Sequence, residues 1–199
     1  MKTKEHLQFV LESLLFSAGK PLSEKQILNL FAEEDRPALG DLRQALHQLQ
    51  EFYKDRGVEL VNVASGYRFQ SKLEYAPWIG RLWEEKPSKY SRALLETLAL
   101  IAYKQPITRG EIEEVRGVSI STSIFKTLLE ERGWIRVVGH RDVPGRPGLY
   151  ATTKEFLDYF GLKSLDQLPP LPEILALTEE PELAAVQMEL PELEAEEEM

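Results

Sequence analysis

Cysteine is absent from this 199-residue chain. Disulfide staples, thiolate metal sites and cysteine nucleophiles are excluded together, and a reducing compartment is expected. No run approaches the roughly 18 uninterrupted apolar residues that a membrane-spanning helix needs. The start, MKTKEHLQFVLESLLF, is basic, but Glu5 and Glu12 break up any apolar stretch and no small-residue cleavage site follows, so no secretory signal is expected. Histidine is scarce: His6, His47 and His140 fall in different predicted elements, with no ligand spacing among them. No glycine-rich phosphate loop precedes a helix, and neither G-x-S-x-G nor H-E-x-x-H occurs. Glu111, Glu113 and Glu114 cluster, but carboxylates at a helix start are what the helix dipole favours. These absences argue against an enzyme and predict neither a metal nor a cofactor.

Net basic charge is also missing from the body. The total is −9, yet residues 1–160 carry 23 basic and 22 acidic side chains, whereas residues 161–199 carry 1 and 11. A near-neutral body does not draw nucleic acid by long-range field, so any DNA contact needs a local patch.

What is present is a repeat. VLESLLFSAGK from Val10 is followed by PLSEKQIL, and LLETLALIAYK from Leu94 is followed by Gln105 and PITRGEIE. With one gap at Gln105, Glu12 aligns with Glu96, Lys20 with Lys104, Pro21 with Pro106, Ser23 with Thr108 and Ile27 with Ile112. A spacing this long is not a solenoid unit and reads as two similar domains.

Each copy opens with an apolar stripe at helical spacing, such as Leu94, Leu98, Ile101 and Ala102. Proline ends that helix. Thr108 with Glu111, and Ser23 with Gln26, then predict capping boxes that start a second, short helix. A third helix follows, opened at Ser121 or Thr122 in the second copy and running from about Leu39 to Lys54 in the first. Two β-prone runs close each copy: 58–63 and 67–70 around Ala64-Ser65-Gly66, then 135–138 and 149–152 around GHRDVPGRPG. Three helices and a hairpin make a winged helix. The fold expected is mainly α with small β-hairpins (α+β): two tandem winged-helix domains plus an acidic disordered C-terminal tail. The expected boundaries are 1–74 for the first domain, 75–87 for a linker helix, 88–162 for the second domain and 163–199 for a Pro-rich segment and the tail. Thr152 with Glu155 predicts a last capping box, with Gly161 as the stop of that helix.

The runs LLETLALIAYKQPITRGEIEEVRGV and RGWIRVVGHRDVPGRPGLYATTKEFLDYFGLKSLDQLPPLPE resemble the bacterial segregation and condensation protein B family. LESLLFSAGKPLS and GYRFQSK in the first copy are similar to it too, and the resemblance spans about Leu7 to Glu173. It departs at Ser119–Ser123, where the family is commonly richer in Asn and Asp. It departs again at Leu128–Gly133, where LLERG is commoner than the LLEERG found here. The resemblance implies a cytoplasmic, nucleoid-associated homodimer that binds the kleisin subunit (segregation and condensation protein A) and, through it, a structural-maintenance-of-chromosomes (SMC) ATPase.

A DNA-binding regulator is the alternative, because the second helix of a helix-turn-helix usually reads DNA. That helix in the second copy places Lys126 before Glu130, Glu131 and Arg132, and the first copy's mixes Arg43, Lys54 and Arg56 with Asp41, Glu51 and Asp55. Neither is the basic stripe that phosphate neutralisation needs. His140, Arg141 and Arg146 on the second wing form the best local basic patch, which limits expected DNA contact to a weak or indirect one. Protein binding is better served by aromatic and apolar residues beyond what small cores absorb, among them Trp78, Trp83, Trp134 and Tyr150. The resemblance points to its motif from Asp142 to Thr153 as the kleisin surface, and with the residues beside it the expected partner surface comprises Trp134, His140, Arg141, Val143, Pro144, Arg146, Leu149 and Tyr150. The opening helix is apolar around more than one face, and Leu7, Val10, Leu11 and Leu14 are the expected dimerisation residues.

The tail's excess of acids and the irregular spacing of its leucines predict that it adds nothing to the fold. Truncation after Glu173 is expected to leave the melting temperature unchanged, as measured by circular dichroism.

Overall fold

Leucines one helical turn apart commit the first helix, α1 (Lys4–Ser17), to an inward face: Leu11 and Leu15 are buried and Leu7 packs beside them. They meet α3 (Leu39–Tyr53), which buries Leu42, Ala45, Leu46, Leu49 and Tyr53. Between them α2 (Glu24–Asn29) starts at the expected capping box, the Ser23 hydroxyl accepting from the Gln26 N–H and the Gln26 side chain accepting from the Ser23 N–H. The hairpin β1 (Val58–Val63) and β2 (Gly66–Ser71) pairs antiparallel from Val58↔Ser71 to Val63↔Gly66. The structure is a computed structural model that describes residues 4–82 and 90–170. Trp83, Pro87 and the acidic tail from 171 onward, on which expectations were placed, lie outside the described residues.

The second half repeats this order. Ser91 caps α5 (Arg92–Lys104), and a cis peptide bond joins Gln105 to Pro106. Thr108 and Glu111 form the expected box at the start of α6 (Arg109–Arg116), which ends at Gly117. Ser121 caps α7 (Thr122–Lys126). The hairpin β4 (Ile135–His140) and β5 (Gly148–Thr152) follows. One strand was not expected: β3 (Ile107–Thr108) pairs with β5, giving the order β3-β5-β4. In the first half Leu22 makes the corresponding single bridge to Tyr67. Both halves are therefore winged helices, and the chain is mainly helical with small antiparallel sheets.

Three local details differ from expectation. The last helix, α8 (Lys154–Tyr159), is capped by Thr153, whose hydroxyl accepts from the Phe156 N–H. Thr152 instead ends β5, its N–H and hydroxyl both donating to the Gln105 side-chain carbonyl. The expected continuous linker helix from Tyr75 is broken into a 3₁₀ turn (Leu73–Tyr75), α4 (Ala76–Ile79) and a second 3₁₀ turn (Gly80–Leu82). Pro77 falls in the first turn of α4, where its missing N–H costs nothing, and Gly80, a poor helix former, stands where α4 ends. Finally, α7 widens into a π turn over Thr127–Glu131, with the Arg132 N–H donating to the Thr127 carbonyl at 2.9 Å. The π turn falls where LLEERG is one residue longer than the form commoner in the resembled family. Leu128 within the turn and Trp134 after it are both buried in the core.

The first wing depends on one glycine. Leu22 and Tyr67 exchange two backbone hydrogen bonds of 2.9 Å, which brings Gly66 against the Leu22 carbonyl. Gly66 has φ +134°, and a Cβ there would sit 2.2 Å from the Leu22 oxygen. Gly66→Ala combines backbone strain with a backbone clash and is expected to cost about 3 kcal/mol. Thermal unfolding should show this as a melting temperature lower by roughly 10 °C.

Candidate functional site

The second wing rises from a core that its own flanking residues complete. Trp134 precedes β4 and is only 2% exposed. Its ring lies 4.6 Å from Tyr159, 5.1 Å from Tyr90 and 5.4 Å from Phe160. Tyr150 is half-buried on β5, 4.8 Å from the ring of buried Phe125, and Leu149 is half-buried opposite Thr108 and Gly139. Of the expected partner-binding residues, then, Trp134 serves the domain core and Tyr150 and Leu149 mainly hold the sheet. His140, Arg141, Val143, Pro144 and Arg146 are exposed together on the wing.

The loop between the strands has a defined shape. Backbone N–H groups of Arg141, Val143 and Arg146 donate to the carbonyls of Pro147, Arg141 and Val143 at 2.9–3.0 Å. Arg146 takes φ +39°, and Gly145 beside it takes φ +84°. Val143 is held outward at this tip. On the same hairpin the structure exposes two residues that sequence reasoning missed, Val137 and Val138, so that three valines stand 44–47% exposed on one wing. Ladder pairing shifts between Val137 and Gly139, leaving Val138 in a bulge. The available signal was the adjacent pair of β-branched residues, because strict alternation turns at least one of them away from the core.

One charge of the wing is spent locally. The Arg141 guanidinium lies 2.9 Å from the Glu111 carboxylate on α6, so this candidate basic residue braces the wing against the helix. The Glu111 carboxyl sits below its ordinary range chiefly because the Thr108 N–H and hydroxyl donate to it at 2.8 Å, with Arg141 adding a smaller pull. Glu113 accepts from the Ile120 N–H at 2.9 Å and from Arg109 at 3.0 Å, tying the α6–α7 turn, and both contacts lower its pKa. Of the clustered acids on α6, Glu111 is thus a helix cap and wing brace and Glu113 a brace of the α6–α7 turn. Among the described residues no group of three His, Asp or Glu could hold a metal ion, and no helix is long and apolar enough to cross a membrane.

On the first domain, the expected dimerisation residues divide. Leu11 belongs to the core of its own domain, while Leu7, Val10 and Leu14 are half-buried at its margin. Phe9 and Phe16 carry the outward apolar surface at 65% and 50% exposure. Phe16 stacks on Phe69 of β2 at 3.9 Å, forming the edge of a shallow cavity of about 300 Å³ shared with Pro21 and Val58. Glu12 accepts a short hydrogen bond from the Tyr53 hydroxyl, and burial together with that bond pushes Tyr53 up to about 12.

Residues 9–171 match the family described as segregation and condensation complex subunit ScpB. The segregation and condensation protein B homolog of Coxiella burnetii is 56% identical over 170 residues, which cover 85% of this chain and 81% of that protein. Segregation and condensation protein B of Syntrophotalea carbinolica is 45% identical over 178 residues, 88% of this chain and 87% of that one. The crystal structure of ScpB from Mycobacterium tuberculosis is 31% identical and superposes with a TM-score of 0.37 over 80% of this chain and 98% of that chain.

Because the Glu111 pKa is depressed in the folded state, its contribution is full above the ordinary carboxylate pKa and is lost as pH falls through the folded value. Glu111→Ala, which removes both the cap and the brace for Arg141, is expected to lower the melting temperature at neutral pH. The difference from the parent should close as the buffer is taken below the depressed value, which a pH series of thermal melts will show.

Proposed function

The chain belongs to the segregation and condensation protein B family, whose members are non-catalytic subunits of the SMC segregation and condensation complex, and on that premise we propose that it acts as a dimeric adaptor binding the kleisin subunit through its second wing. The observation that carries this reading is the trio Val137, Val138 and Val143, apolar and exposed on a wing whose loop is already shaped. A preformed apolar surface loses little conformational freedom on binding. His140, Pro144 and Arg146 border it, and Leu149 and Tyr150 support it from the strand behind. Contact with the SMC ATPase is made through the kleisin, in the cytoplasm at the nucleoid. Self-association falls to α1 of the first domain, where Phe9 and Phe16 join Leu7, Val10 and Leu14. The two winged domains take the boundaries 1–74 and 88–162, with 75–87 between them.

A role as a DNA-reading regulator has less support. Arg141 is already paired with Glu111, and Arg43 makes two hydrogen bonds to Glu24. Neither is a free cation for a phosphate.

Co-purification with the host's kleisin, with molar mass read by light scattering, tests the proposal as a whole. The protein alone is expected at twice its 22.8 kDa chain mass. Val138→Ala with Val143→Ala should leave the fold intact and weaken kleisin binding by about 2 kcal/mol, roughly thirty-fold. Unchanged binding by this variant would remove the second wing as the surface. A monomer that ignores kleisin but binds duplex DNA with steep salt dependence would instead favour the regulator.

A further inference from the structure

The two wings meet different fates. The second stands in solvent, whereas the tip of the first, Ala64-Ser65, ends against the last turn of α8 in the other domain. That turn is built to receive it. Gly161 takes φ +70°, the Leu162 N–H returns to the Leu157 carbonyl at 2.8 Å and the Gly161 N–H to the Asp158 carbonyl at 3.3 Å. This is a Schellman ending, which turns the chain away from the helix axis at Leu162. The Leu162 carbonyl accepts from the Ala64 N–H at 3.0 Å, and the Asp158 carboxylate accepts from the Ser65 N–H at 2.9 Å. The next residue, Lys163, acts electrostatically on Glu24 at the start of α2. Glu24 lies below its ordinary pKa, first through its hydrogen bonds from Arg43 and further through the Lys163 charge.

We propose that these contacts form a clasp that holds the two winged domains as one body in solution and closes the first wing to other ligands. Two N–H groups at a hairpin tip have no partner within the hairpin, and here a carbonyl and a carboxylate from the opposite domain replace water at both. The bond to Asp158 is charge-assisted and of the stronger kind. Lys163 adds an attraction between the same two domains, to Glu24 on α2. The clasp leaves the second wing as the exposed one and fixes its position relative to α1 of the first domain. A partner that touches both domains then meets a preset geometry and does not have to order two loosely tethered units.

The absence of cysteine makes the test direct, since two introduced thiols can be spin-labelled selectively. His47→Cys on α3 and Lys126→Cys at the end of α7 are exposed positions in different domains, away from the clasp. The labelled full chain is diluted into an excess of unlabelled protein, so that double electron–electron resonance reads distances within one chain. A single narrow distance distribution is expected for the parent and for Asp158→Asn, which keeps an acceptor oxygen. Asp158→Ala is expected to broaden it, with circular dichroism confirming an intact fold. Lys163→Glu, beyond the helix, sets a carboxylate against Glu24 and is expected to broaden the distribution as well, which keeps the test open if Asp158→Ala fails to fold. A broad distribution in the parent overturns the clasp, and so does a narrow one that folded Asp158→Ala or Lys163→Glu leaves unchanged.

Discussion

In each half a two-residue stretch just before the second helix does two things at once. Leu22 pairs with Tyr67 of the wing while Ser23, the next residue, caps α2. Ile107 and Thr108 pair with Tyr150 and Leu149 while Thr108 caps α6. The backbone of the stretch faces the hairpin and its side-chain hydroxyl faces the helix, so the wing cannot turn relative to the helices without breaking one or the other. An unpaired strand backbone buried beside a core is costly, which is why this seam is closed so fully. The close approach it demands is what leaves no room for a side chain at Gly66. The seating of both wings on their helices follows from this seam.

Charge is used by the molecule chiefly to hold itself. Arg92 and Arg116 converge on Glu96, Arg109 pairs with Glu113, Arg43 with Glu24 and Arg141 with Glu111. The more exposed of these pairs, such as Arg92 with Glu96, contribute little stability one by one. Their larger consequence is for function, because guanidinium groups turned onto neighbouring carboxylates do not present a basic face. On the second wing Val137, Val138 and Val143 stand outward beside the exposed His140 and Arg146.

The unequal wings fit the same division of labour. The first has a two-residue tip, short enough to end at the close of α8, where a helix terminus supplies the acceptors. The second has a longer loop braced by three backbone hydrogen bonds and by Arg141, and it stands clear of the body. The repeat in sequence thus yields two domains of one fold, one wing facing inward and one outward.

Much of this was legible in the sequence wherever the physics is local. The Ser23–Gln26 and Thr108–Glu111 boxes, the proline stops, the glycine after α8 and the leucine spacing of α1 and α3 are all fixed by residues within about a turn of one another. The family was legible too, in the long run from Glu96 to Phe160. The misreadings came where distant partners decide. Thr152 and Thr153 are equally good caps on paper, and ladder pairing with Ile135 together with the Gln105 side chain, 47 residues away, keeps Thr152 in the strand. Leu11 and Trp134 look as available as Val10 and Tyr150 until packing turns them inward, because a helix apolar on two faces does not say which face its own domain will cover. Val137 and Val138 needed a bulge to come out together, and the clasp needed Ser65 and Asp158, 93 residues apart, to meet. Local hydrogen bonding and periodicity are written along the chain, whereas which of two apolar faces is buried, and which wing is left free, is settled only when separate elements compete for the same contacts.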